Sequence, residues 1–156
     1  MNQPKVIHST FILERSLPKT PETVFAALSD PAKLRRWFAG GNLHDVEEFS
    51  VDFRVGGEER LRYRLKGGPV AGQEIVNIGR YQEIVPNERI VTARTMALEG
   101  KCFSASQVTY ELLPTKDGTD LICTHQGAYF EMPGGPQMLE AGWRALMDKL
   151  AAELAD

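Results

Sequence analysis

The sequence predicts an α+β domain in which a bent antiparallel sheet closes around one long C-terminal helix. Three observations carry this. Leu139, Trp143, Leu146, Met147, Leu150 and Leu154 recur at spacings of three and four, which places them on one face of a helix from Gln137 to Leu154. Glu140, Arg144, Asp148 and Glu153 fall on its other faces. Ahead of it, most of the chain alternates with period two between short turns, the pattern of an antiparallel meander. Finally, no repeat, linker, low-complexity stretch or shift of composition divides the 156 residues, so 1–156 reads as a single domain with its own core.

Taken in order, Val6 to Leu17 reads as a first strand, with Phe11, Leu13, Arg15 and Leu17 on one face and Thr10, Ile12, Glu14 and Ser16 on the other. Pro18 ends it. Thr20 is an N-cap residue, Pro21 suits the first helical position and Glu22 suits the positive end of the helix dipole. A short helix through Val24, Phe25 and Leu28 follows. Asp30-Pro31 repeats the start signal, so a second short helix carries Leu34, Trp37 and Phe38 and stops near Gly40-Gly41.

From His44 the period changes to two. Phe49, Val51 and Phe53 alternate with Ser50, Asp52 and Arg54 until Gly56-Gly57 turns the chain. Leu61, Tyr63 and Leu65 then face one way and Arg60, Arg62 and Arg64 the other. That basic row reads as the solvated face of an antiparallel strand, its field diluted by Glu58 and Glu59. Lys66 to Gly72 is a hairpin connection. A long strand passes through Ile75, Ile78, Tyr81 and Ile84 to the turn at 85–88. The fifth strand runs from Arg89 to about Leu98, the sixth from Ser104 to Leu113, and the seventh from Leu121 to Gln126, where Leu121, Cys123 and His125 share a face. Gly127 to Pro136 mixes Gly, Pro and aromatic residues and reads as a loop, with Gly127 through Gly135 a candidate lid. The order β-α-α-β-β-β-β-β-β-α, with about six to seven strands, is that of a helix-grip fold.

Composition narrows function by exclusion. The net charge of -3 lacks the basic surface that a nucleic-acid footprint needs. No run of eighteen apolar residues predicts a membrane span. Met1-Asn2-Gln3-Pro4-Lys5 lacks the pattern of a signal peptide, so a cytoplasmic location is expected. Cys102 and Cys123 are too few and too unpatterned for a zinc site or a disulfide framework, and read as buried or half-buried small hydrophobes.

Several stretches resemble one family in its own order. They are Asp30-Pro31-Ala32-Lys33-Leu34-Arg35-Arg36-Trp37, Asp52-Phe53-Arg54-Val55-Gly56-Gly57, the run from Gly79 to Val91, Gly118-Thr119, and Gly142-Trp143 in the last helix. Together they span nearly the whole chain. They resemble the SRPBCC (START/Bet v-type) superfamily and, within it, the family named for activators of the heat-shock-protein-90 ATPase. The resemblance implies the helix-grip fold and an elongated pocket, with Gly142-Trp143 at the seam between helix and sheet. It implies no single activity, because the superfamily hosts lipid carriers, cyclases, hydroxylase subunits and domains of unassigned role. The chaperone-activator function belongs to a larger protein with an additional N-terminal domain. This chain has the length of the C-terminal-type domain alone, so co-chaperone activity is not expected of it.

No nucleophile elbow, phosphate-binding Gly loop or metal-ligand spacing is present, so neither cofactor nor metal is expected. His8 and His44 read as surface residues. His125 shares a face with Leu121 and Cys123 and reads either as a hydrogen-bonded interior residue or as a general acid or base on a bound carbonyl compound. Arg94 poses a choice of register. With Ile90, Thr92, Arg94 and Met96 inward, its guanidinium needs an anion, from the protein or from the ligand; with Val91 and Ala93 inward, it lies in water.

The residues expected to line a pocket are Trp37, Phe53, Tyr63, Tyr81, Arg94, Met96, His125, Tyr129, Trp143 and Met147. The leading expectation is binding of a small apolar or amphipathic molecule. Its rivals are a cyclase- or hydrolase-type enzyme using His125, with Arg94 or Tyr81 polarising the substrate, and an interaction module, chaperone-linked or homodimeric.

Overall fold

A computed structural model describes residues 5–40, 44–69, 71–131 and 134–155. Seven antiparallel strands among them form one sheet: β1 (Val6–Leu17), β2 (His44–Val51), β3 (Glu58–Leu65), β4 (Glu74–Val85), β5 (Arg89–Leu98), β6 (Lys101–Pro114) and β7 (Thr119–Phe130). Their spatial order is β1-β7-β6-β5-β4-β3-β2, so β1 and β2 are the edges. The helices are α1 (Pro21–Ser29), α2 (Pro31–Leu34), which runs on into a π-helical turn at Arg35–Ala39, and α3 (Gly135–Glu153). This is the helix-grip architecture.

Local chemistry explains the insertion between β1 and β2. The Thr20 side chain accepts a hydrogen bond from the Thr23 N–H (3.3 Å), and Asp30 Oδ1 accepts one from the Ala32 N–H (2.9 Å), so each short helix begins on a capping side chain followed by proline. The π turn closes through a bond from the Gly40 N–H to the Arg35 carbonyl (2.7 Å). Its wider winding lets three successive residues, Trp37, Phe38 and Ala39, all become buried. The Trp37 indole N–H donates to the Ala27 carbonyl (2.8 Å), which fastens the turn to α1.

The long helix α3 is tied down over β1 and the insertion. Arg15 on the inner face of β1 pairs with Asp148 (3.0 Å), Arg36 pairs with Glu153 (3.2 Å), and Lys149 donates to the Gly40 carbonyl (2.7 Å). Beneath these polar ties, Trp143, Met147, Leu150 and Leu154 meet Phe11, Leu13, Leu17, Leu112, Leu121 and Cys123 in one apolar core.

On the other side of the sheet, Arg60, Arg62 and Arg64 pair with Glu47, Glu48, Glu58, Glu74 and Glu99. The basic row is therefore neutralised by its neighbours and presents no free cationic stripe. Among the described residues no helix is long and apolar enough to cross a membrane.

Four details depart from the expectation. β2 ends at Val51, so Phe53 lies in the following turn; its ring still packs edge-on against Tyr81 (4.9 Å between centroids) and Phe25 (5.8 Å). β6 begins at Lys101, and Cys102 near its tip is exposed rather than buried or half-buried, whereas Cys123 is buried. β7 continues through Phe130, because Gly127 and Ala128 pair with Ser9 and His8 of β1 and with Ser106 and Ala105 of β6. Gly and aromatic residues that read as a loop are thus paired on both sides. The candidate lid loses its first half to the sheet and its last residue, Gly135, to α3, and Met132 and Pro133 lie outside the described residues.

Candidate functional site

Because strand pairing is known residue by residue, the inner face of the sheet can be read as rows running across it. One row is Glu59, Gly79, Arg94, Ser106, Gly127 and Ser9. The next is Leu61, Asn77, Met96, Ser104, Tyr129 and Ile7. On the other flank lie Tyr81, Thr92, Val108, His125 and Phe11. These rows bring polar side chains together on the inner face of an otherwise apolar grip.

Arg94 stands at the centre. The register with Ile90, Thr92 and Arg94 inward is the one the chain adopts, and Arg94 is only 7% exposed. Its Nη2 donates to Glu59 Oε1 (2.5 Å), its Nε donates to Asn77 Oδ1 (3.2 Å), and its guanidinium lies over the Phe38 ring, 5.3 Å from the centroid. The other Glu59 oxygen accepts from the Tyr81 hydroxyl (2.9 Å). The anion required by an inward arginine is therefore a protein carboxylate. Burial works against the Arg94 charge, but the Glu59 charge and hydrogen bond outweigh it and raise its pKa.

Gly79 makes this arrangement possible. A Cβ there would lie 2.6 Å from Arg94 Nη1 and 2.9 Å from Cζ, so the guanidinium occupies the place of the missing side chain.

His125 and Tyr129 stand on either side of a second glycine. A Cβ on Gly127 would lie 3.0 Å from atoms of both rings. The Tyr129 hydroxyl is 3.4 Å from His125 Nδ1, and Phe11 stacks on the imidazole (4.6 Å, 6° between planes). Trp143 of α3 approaches His125 (6.1 Å), Phe38 (6.2 Å) and Tyr110 (6.4 Å). Burial, with a smaller contribution from the Arg94 charge, pushes the His125 pKa down to about 4. Burial pushes the phenols of Tyr63, Tyr81, Tyr110 and Tyr129 up, Tyr63 to about 12, and the Cys123 thiol to about 12. All of these groups are uncharged at neutral pH, which leaves Arg94 and Glu59 as the charged members of the cluster.

The His125 shift makes stability depend on pH. Its folded pKa lies below the unfolded value near 6.5, so the native state favours neutral imidazole. The associated stability is present above pH 6.5 and is lost as pH falls toward 4. Denaturant unfolding at pH 8 and pH 5 should show a loss of roughly 2 kcal/mol that disappears in His125→Gln. A loss of the same size in the variant would assign it to other groups.

The expected pocket residues divide into two sets. Arg94, Tyr81, His125, Tyr129 and Trp143 belong to this cluster or touch it, and Tyr63 and Met96, both half-buried, lie on the same inner face toward the end bearing Asn77 and Ser104. Trp37 is bonded into the helical insertion, Met147 packs in the apolar core under α3, and Phe53 reaches the cluster only through Tyr81. Glu59, Asn77 and Ser104 were not anticipated. The signal for two of them is alternation: Glu59 is in step with Leu61 and Tyr63, and Asn77 with Ile75 and Tyr81.

Ser104 is 1% exposed, and its Oγ finds no hydrogen-bond partner among the described residues. It lies between Met96 and Tyr129 in the row that contains Asn77. No group of three or more His, Cys, Asp and Glu among the described residues is placed to hold a metal ion. A shallow concavity of about 370 Å³ runs along β1, β7 and β6 beside His8, Thr10, Gln107 and Gln126 and reaches Ser9, Ser106 and Gly127 of the central row, and another of about 260 Å³ lies beside Arg36, Trp37, Lys149 and Glu153.

Comparison with known proteins agrees with this architecture. A crystal structure of a protein from Rhizobium loti is 45% identical and superimposes with a TM-score of 0.84, covering 96% of this chain and 99% of that one. An uncharacterized protein from Rhizobium leguminosarum is 29% identical with a TM-score of 0.87, covering 96% of each chain. A protein from Chromobacterium violaceum is 29% identical with a TM-score of 0.76, covering 94% of this chain and 98% of that one. No curated protein matches. Residues 18–155 match the family model described as Activator of Hsp90 ATPase homolog 1-like protein, and the chain belongs to that family.

Proposed function

We propose that this member of the family binds a small apolar or amphipathic molecule between the inner face of the sheet and α3. The observation that carries the reading is the Ser104 hydroxyl, buried on that face and unpartnered among the described residues. A buried hydroxyl without a partner carries a desolvation penalty of about 1–3 kcal/mol, and a ligand acceptor would relieve it. Ser104 is the cross-strand partner of Tyr129 on β7 and of Met96 on β5, and further apolar walls are available from Tyr63 and Trp143. Aromatic walls with a few convergent polar groups are the usual composition of small-molecule sites.

In the conformation described, Trp143 is only 4% exposed and stands in the seam between helix and sheet. Ligand entry on this reading requires the first turns of α3 or the Trp143 ring to move aside. Native mass spectrometry of gently purified protein tests the proposal. A retained molecule, displaced when the sample is denatured, is the expected result. Protein that carries nothing and takes up no apolar probe at millimolar concentration would refute it.

The enzymatic alternative has one observation in its favour, the approach of the Tyr129 hydroxyl to His125 Nδ1. A histidine with its pKa near 4 is a poor proton donor at neutral pH, and the Tyr81 hydroxyl is already committed to Glu59. Binding without turnover is the reading these facts support better.

A further inference from the structure

The charge arrangement of the inner face bears on what kind of molecule it accepts. Of the described residues buried there, Arg94 and Glu59 are the charged ones, and they are paired with each other. Three further contacts hold the pair: Asn77 accepts from Arg94 Nε, Phe38 lies under the guanidinium, and Tyr81 donates to the second Glu59 oxygen. Gly79 leaves room for the guanidinium to lie flat against the sheet. Both oxygens of Glu59 and two nitrogens of Arg94 are thus engaged within the protein.

We propose that this face selects an uncharged ligand bearing a hydrogen-bond acceptor, such as a ketone, ester or quinone carbonyl, and that Glu59 excludes anions by occupying Arg94. The inference rests on the ligand-binding reading above. An arriving carboxylate would meet a cation that already has its counter-ion. It would either leave an uncompensated negative charge in a low-dielectric interior or have to drive Glu59 off Arg94 and Tyr81 together. An arriving ammonium meets the same balance with the sign reversed. A neutral carbonyl needs only a donor, and the Ser104 hydroxyl, buried on that face and unpartnered among the described residues, is a donor that needs no charge.

Two probes of nearly equal shape separate the possibilities: 2-acetylnaphthalene, a neutral ketone, and 2-naphthoate, its anionic counterpart. Calorimetric titration of the wild-type protein at pH 7.5 should show the ketone binding at least tenfold more tightly. In Glu59→Gln, which removes the internal counter-ion but keeps an acceptor for Tyr81, 2-naphthoate should gain at least tenfold while the ketone changes less than threefold. Should that variant fail to fold, Glu59→Gln/Arg94→Met removes both charges and should keep the preference for the ketone. Tighter binding of 2-naphthoate by the wild type, no gain for it in folded Glu59→Gln, or a reversed preference in the double variant overturns the selectivity and leaves ligand binding intact. If neither probe binds the wild type, the ligand-binding reading itself fails.

Discussion

Arg94→Met is expected to cost about 3–5 kcal/mol of folding stability, because it leaves the Glu59 carboxylate buried without its cation. The two side chains are 6% and 5% exposed, so water cannot take over the missing partner without the sheet opening. The same substitution frees Asn77 Oδ1 and removes the cation above Phe38, which adds to the loss. Glu59→Gln/Arg94→Met should recover most of it. The amide that replaces the carboxylate brings no charge inside and still accepts from Tyr81. Equilibrium urea unfolding of the wild type, both single variants and the double variant measures the coupling between them. Strong non-additivity is expected for a directly paired couple, and additive losses would show that the pair does not hold itself in place.

Trp143→Ala should also cost about 3–5 kcal/mol, by lost apolar burial and by the space left between Phe38, Tyr110 and His125. It carries a second consequence that simple loss of packing would not produce. His125 owes its depressed pKa first to burial, and Trp143 is the residue of α3 in contact with its ring. Water admitted by the smaller side chain should let the His125 pKa rise from about 4 toward its unperturbed value near 6.5. Titration of the His125 ring resonances by NMR in the two proteins reads this directly. An unchanged titration in a destabilised but folded variant would mean that the core collapses to refill the space.

The fold was legible in the sequence because its signals are periodic. The spacing of Leu139, Trp143, Met147 and Leu150 marks the closing helix, and Thr20-Pro21 and Asp30-Pro31 mark two helix starts that the structure caps with those same side chains. The end of β7 was not legible, because Gly127 is compatible with a loop by composition. Its place in the sheet depends on room for the rings of His125 and Tyr129, a requirement that appears only once the strands are paired.

The site was legible in part. Alternation placed Arg94 on one of two faces of similar hydrophobicity and could not name its counter-ion. Glu59 is 35 positions away in sequence and two strands over in the sheet, and adjacency to Glu58 and the arginine row made it look like one more surface charge. The energetic logic of Arg94 required an anion. Only the register of β3 on β4 and β4 on β5 shows which residue supplies it. Ser104 is not legible in the sequence, because a lone serine in a strand carries no period of its own. The bulge near Met96 and Ala97, where β5 and β6 fall out of step, further obscures which way Ser104 faces.

The most direct test of ligand entry beneath α3 uses the two tryptophan indole N–H resonances. Trp143 stands in the seam between helix and sheet, and Trp37 donates to the Ala27 carbonyl within the helical insertion, which makes it an internal reference. During titration with 2-acetylnaphthalene, the Trp143 indole resonance should move and saturate while that of Trp37 stays in place. Saturable binding that leaves Trp143 unmoved, or that shifts only the outer residues around His8, Gln107 and Gln126, would contradict ligand binding between the helix and the sheet.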